Sequence, residues 1–214
     1  MSKLGGFIGF VARASLCSAL LSAALVGAHA DSSVWAISSS GNTLYLGGTI
    51  HMLRPSDYPL PEEYEQAYQD SSKIYFETDL NAMNELSVQT RMLQQLTYTD
   101  GRSLKTVLNA EAYSALAEYA TTLGMPLMML EQFKPGMVVS TLQVLTFQGL
   151  GYTPQGVDSY FNTRAMGDAK TLGQFETIEQ QIGFLAAMGE GNESEFVLLS
   201  LRDLEETEEL MEEM

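Results

Sequence analysis

Two short runs of mainly apolar, β-branched and aromatic positions, Val34 to Ile37 and Thr43 to Leu46, lie on either side of the polar Ser40-Gly41-Asn42. Two such runs around a glycine-containing turn predict a β-hairpin. Beyond it, Pro55 and Pro59 keep the backbone extended, and Pro61 with Glu62 and Glu63 opens a helix. Proline suits a helix's first turn, and acids favour its positive end. "KIYFET", Lys73 to Thr78, is short, aromatic and β-branched, which predicts a strand and a β-α-β order.

The pattern then changes to a helical period. Helices are predicted over Leu80 to Leu96, over Ala110 to Leu123 between an Asn109 cap and Gly124, and over Pro135 to Gln148 before Gly149. Leu116, Tyr119, Ala120 and Leu123 share one face, and Met137, Thr141, Val144, Leu145 and Gln148 share another; both are read as core. The Met-rich "MPLMMLEQF" is also read as core. "GVDSYFNTRAMGDAKTLGQFETIEQQIGFL" repeats the earlier arrangement: a helix from Val157 to Met166, a turn at Gly167-Asp168, a strand near Thr171 to Phe175, then Glu176. Glu77 and Glu176 thus occupy equivalent places, each within "FET" at a strand end, where α/β sheets bind ligands. The final helix aligns Val197, Leu201, Leu204 and Met211, but Glu205, Glu206, Glu208, Glu209, Glu212 and Glu213 crowd its negative end without a cap. That ending reads as a chain cut within an element.

The first thirty residues stand apart. Lys3 and Arg13, the apolar run "ASLCSALLSAALVGA" and the triplet Ala28-His29-Ala30 have the form of an export signal with its cleavage site. Residues 1–30 are therefore expected to be removed and 31–214 to form one domain, exported to the periplasm or secreted, with no stable membrane span after cleavage. Removing two of the 11 basic residues and none of the 27 acids takes the net charge from -16 to -18. Such a chain repels phosphate backbones, which excludes nucleic-acid partners. Cleavage also removes Cys17 and His29, so any metal site must draw on His51, Asp or Glu.

His51 follows Gly48 in Gly48-Thr49-Ile50-His51, and adjacent parallel strands would bring it to the same edge as Glu77. A carboxylate beside imidazole can orient it, share a metal or activate water. Arg54, nearby, is read as an exposed loop residue rather than as a substrate contact.

"LYLGGTIHMLRPSDYPLPEEYEQAYQDSSKIYFETDL" and the later "GVD…" block together resemble the TraB/GumN family, relatives of the Tiki metalloproteases and, more distantly, of erythromycin esterase-like proteins. The resemblance rests on the GxxH, the "YPLP" turn, a strand ending in Glu, and a G-hydrophobic-D helix ahead of a second such strand. It implies an α/β or α+β fold, a mixed β-sheet flanked by helices with a helix-rich middle. It also implies a metal-dependent, peptidase-like hydrolase with His51 and Glu77 as catalytic residues and His51, Glu77 and Glu176 as metal ligands. The ion would be a divalent transition metal (manganese, cobalt or zinc), and the substrate a peptide or small molecule. The family's second GxxH has no counterpart, because no histidine follows His51. Either the site is lost and the scaffold serves as an envelope accessory or binding protein, in polysaccharide-related processes as the GumN name suggests, or the chain is a C-terminally truncated copy with little activity.

Overall fold

Small β-sheets and a majority of helix make up the computed structural model, which describes residues 32–212, with side chains through Thr207. The expected leader, Cys17 and His29 lie outside the described residues. The hairpin forms as predicted, with longer strands: β1 is Val34–Ser39 and β2 is Asn42–Gly47, paired antiparallel with Trp35 opposite Leu46 and Ile37 opposite Leu44. Ser40 and Gly41 both take positive φ (50° and 87°), the tight-turn geometry whose twist matches that of paired strands.

Helix α1 (Glu62–Asp70) leads into β3 (Lys73–Phe76), and much later α6 (Val157–Gly167) leads into β4 (Thr171–Gln174). The two strands pair in parallel, Lys73 with Thr171 through Phe76 with Gln174. The repeat seen in the sequence is thus a pair of helix–strand units lying side by side. They are clasped in three ways: Arg164 grips both oxygens of Glu65 (2.5 and 3.1 Å), the Tyr68 hydroxyl donates to Asp168 (2.6 Å), and Lys170 donates to the Tyr68 and Ser71 carbonyls at the end of α1 (2.6 and 2.5 Å). Lys170 supplies the cation that α1 lacks at its negative end. Tyr68, Phe76, Val157, Phe161 and Ala165 are buried between the units. Outside, the Tyr75 ring lies across Gly173, where a Cβ would come within 2.6 Å of it, and packs on Phe175 at 5.5 Å.

The strands form two separate two-stranded sheets, one antiparallel and one parallel, within the mixed, helix-flanked class expected. Between the two halves of the repeat comes the helix-rich middle. The predicted helix from Leu80 is interrupted: a 3-10 turn at Ala82–Asn84 gives way at Glu85, and α2 runs Leu86–Leu96. Asp79 causes the break by accepting from the Asn81 and Ala82 amides, a side-chain turn that competes with helix. The short α3 (Leu104–Val107) precedes α4 (Ala110–Thr122), capped as predicted by Asn109 accepting from the Ala112 amide at 2.8 Å.

Helix α5 (Pro135–Gly149) buries a different stripe from the expected one: Val138, Leu142 and Thr146, while Val144 and Gln148 face outward. Thr146 tolerates burial because its hydroxyl hydrogen-bonds that of Tyr119 at 2.7 Å. The Met-rich segment divides, Leu127 and Leu130 entering the core while Met128 and Met129 remain exposed. Helix α7 (Ile178–Ala187) and helix α8 (Glu193–Glu212) complete the chain. Val197, Leu201 and Leu204 of α8 pack on α4 and α5 as their spacing predicts, and the Met211 side chain lies outside the described residues. Among the described residues, no helix is long and apolar enough to cross a membrane.

Candidate active site

Leaving β2, the chain runs through Gly48-Thr49-Ile50-His51 against the start of α6. Four contacts fix this approach. The Val157 amide donates to the Ile50 carbonyl (3.0 Å), and Leu53 and Thr153 exchange backbone hydrogen bonds (3.2 and 2.9 Å). The Tyr64 hydroxyl donates to the Gly48 carbonyl (2.6 Å), and that of Tyr58 to the Gln155 carbonyl (2.7 Å). Gly156 sits where the backbones nearly touch. A Cβ there would lie 2.1 Å from the Ile50 oxygen and 2.4 Å from the His51 carbonyl carbon, so only glycine fits.

This packing places Asp158, second residue of α6, beside His51, and its Oδ2 lies 2.9 Å from His51 Nδ1. An ionised carboxylate only accepts, so the Nδ1 proton belongs to His51 and the imidazole presents Nε2 outward. There Glu77, just past the end of β3, brings Oε2 to 4.0 Å from Nε2. That distance exceeds a direct hydrogen bond and leaves room for a bridging atom. The His51 and Glu77 side chains are open to solvent (68 % and 61 % exposed), whereas Asp158 is 13 % exposed.

Electrostatics follow the geometry. The Asp158 hydrogen bond raises the His51 pKa, with burial opposing and the Asp158 and Glu77 charges assisting. For Asp158, burial works upward, but the hydrogen bond and charge of His51, with the amides at the start of α6, hold the carboxyl below its ordinary range. Its second oxygen, Oδ1, is buried and makes no hydrogen bond of good geometry.

His51 and Glu77 therefore meet, though by a different route from the one expected. The strand before His51 pairs only with β1, and α6 rather than a shared sheet carries His51 to the edge where Glu77 lies. Glu176 takes the predicted place beside Glu77 along the backbone, its amide donating to the Glu77 carbonyl at 2.8 Å. Its carboxylate, however, accepts from the Gln181 side chain of α7. Among the described residues no three His, Cys, Asp or Glu side chains converge as a ligand set. Arg54 is no free loop arginine: its guanidinium lies 3.4 Å from Asp57 and over the Tyr152 ring at 5.0 Å. From the sequence, Asp158 entered only as the acid of the G-hydrophobic-D helix and was given no role at the site. Its signal was a glycine directly before a helix with an acid at the second position, in the same block that placed Glu176.

No curated protein and no solved structure matches the chain. The model of the TraB/PrgY/gumN family matches residues 33–214, a span that holds His51, Glu77, Asp158 and Glu176 alike, and the chain belongs to that family.

Proposed function

We propose that the chain is an exported, metal-assisted hydrolase of peptide-like or ester bonds, with its site at His51 and Glu77. The observation that supports this reading is the sequence of contacts Asp158–His51–Glu77, with one ring nitrogen held by a largely covered carboxylate and the other facing a second carboxylate across 4.0 Å. Metal-bound histidines are characteristically held this way on their far nitrogen. The donors fit a divalent ion as two of the protein ligands, His51 Nε2 and a Glu77 oxygen; catalytic sites of the zinc type use three. Glu176 completes the set only by giving up Gln181. An ion bound there would polarise a carbonyl and make a water more acidic.

The residues do the rest. Asp158 keeps the Nδ1 proton in place and the ring in one orientation, so in the neutral ring the Nε2 lone pair is directed at the substrate side. The Glu77 oxygen left free of the ion accepts the proton of an attacking water and returns it to the leaving group. The test is turnover of a peptide and an ester library by the purified chain with manganese, cobalt or zinc, alongside metal content by mass spectrometry. The reading expects His51→Ala to lose bound metal and Glu77→Ala to lose turnover while retaining some metal. Metal content unchanged in His51→Ala would refute it.

A second reading, an envelope binding or accessory protein without catalysis, is favoured by the openness of the site. His51 is two-thirds exposed, and a concavity of about 580 Å³ lies elsewhere, between Asn109 and the start of α8. Absence of turnover with every added metal would select it.

A further inference from the structure

The hairpin has one face turned inward and one with no partner among the described residues. Tyr45, on the inner face, donates to Asp70 at the end of α1, and Ser38 and Thr43 bond each other across the strands. Residues directly opposite and two apart share a face, so Trp35, Ile37, Leu44 and Leu46 lie together on the other side. They are 55 %, 53 %, 59 % and 49 % exposed. An apolar stripe on a two-stranded ribbon is costly to leave in water, since such a ribbon has little stability of its own.

We propose that this face seats on the interfacial layer of a lipid bilayer. Three observations select that occupant. First, the chain has 27 acids in 214 residues, about one in eight, yet none between Ser32 and Ser56; the hairpin is a charge-free zone on a strongly anionic protein. Second, the four side chains present on the order of 400 Å², about half of the roughly 800 Å² that each partner contributes to a stable protein interface. A second copy would also bring the same net charge of -16 into contact. Third, Val34 follows the apolar run ending at Ala28 by only five intervening residues, a reach of about 20 Å at full extension. During export, before the expected cleavage, that short link keeps the hairpin within reach of the membrane.

The seat is shallow. Among the described residues no further strand pairs with the outer edges of β1 and β2, and such open backbone groups tolerate the hydrated interface but not the hydrocarbon centre. Tryptophan with flanking aliphatics is the side-chain set that such interfaces favour. Acids elsewhere on the surface make zwitterionic lipid the better host than anionic lipid.

Trp35 is the chain's one tryptophan, so its emission reports this face alone. The full chain is titrated with phosphatidylcholine vesicles, with the same vesicles containing phosphatidylglycerol, and with phosphatidylcholine brominated near the top of the acyl chains. The expected results are a blue shift, quenching by the brominated lipid, and weaker binding as anionic lipid is added. The Ile37→Ser/Leu44→Ser variant should lose quenching at least fivefold with an unchanged far-UV spectrum; Leu46→Ser gives a second reading should the double variant fail to fold. Met128→Ser, exposed elsewhere, should behave as wild type. Every variant keeps residues 1–33, so the comparison isolates the hairpin. Absence of quenching in the wild type, equal quenching in the double variant, or a blue shift that grows with protein concentration without lipid would overturn the proposal, the last in favour of a second copy.

Discussion

Asp158→Asn keeps the shape of the side chain and removes its charge, so it tests whether the His51–Asp158 contact is an ion pair that stabilises the fold. A hydrogen bond between charged groups contributes about 1.5–3 kcal/mol. His51 is 68 % exposed, and solvent screening brings the charge-dependent part to about 1 kcal/mol. The pH at which it is felt follows from the directions of the two shifts. The fold raises His51 above its ordinary 6.5, so its contribution is whole below 6.5 and fades as pH rises through the folded-state value. It lowers Asp158 below 3.8, so that contribution is whole above 3.8 and fades as pH falls through the folded-state value. Both are whole near pH 5. Urea unfolding followed by circular dichroism at about pH 5 and about pH 8.5 should show the wild type's advantage over Asp158→Asn larger by about 1 kcal/mol at the lower pH. The same experiment in a His51→Gln background should show no such difference between the two pH values. An advantage equal at both pH values would refute the charged pair.

Gly156→Ala should destabilise the fold by about 3 kcal/mol or more, read as a large drop in melting temperature, because the new methyl meets the backbone of Ile50 and His51 and neither can yield. A wild-type melt would mean that the two backbones separate freely. Leu142→Ala should cost about 2–5 kcal/mol and Val144→Ala under about 1, since Leu142 is fully buried and Val144 is 40 % exposed; the reverse order would restore the face read from the sequence. The Arg164 guanidinium holds the Glu65 carboxyl down to about 2, so that contribution is whole above 4.5 and lost only as pH falls through about 2. Glu65→Gln should therefore cost under about 1 kcal/mol at neutral pH, because Glu65 is 47 % exposed, and a larger loss in urea titration would show the clasp to be stronger than a surface pair.

Local rules were enough where local chemistry decides. The positive-φ turn of the hairpin, the Asn109 cap and the proline-led helix starts all follow from side chains within a few residues, and all formed where predicted. The α5 face failed for a definable reason. Apolar residues occur nearly all round that helix, so periodicity could not choose a stripe, and packing against α4, α7 and α8 chose it. Similarly, whether a chain with two helix–strand repeats makes one sheet or two depends on which edges the helices cover, and no short window of sequence records that.

The site divides along the same line. His51 and Glu77 were legible because each closes a recognisable local pattern, glycine before histidine and strand before glutamate. Asp158 was not, because its role exists only where α6 meets a segment 107 residues earlier. Gly156 permits the approach, the Val157 amide fixes its register, and the second position of a helix is the first at which a side chain can reach the ring while its charge is favoured by the helix's positive end. Gly156, Val157 and Asp158 thus form one device, in which the glycine is as necessary to orienting His51 as the carboxylate. Moving the acid one residue along, with Asp158 changed to Ser and Ser159 to Asp, would keep composition and helix start but turn the carboxylate about 100° away from the ring. If this coupling is right, that variant should show the His51 titration of Asp158→Asn and not that of the wild type.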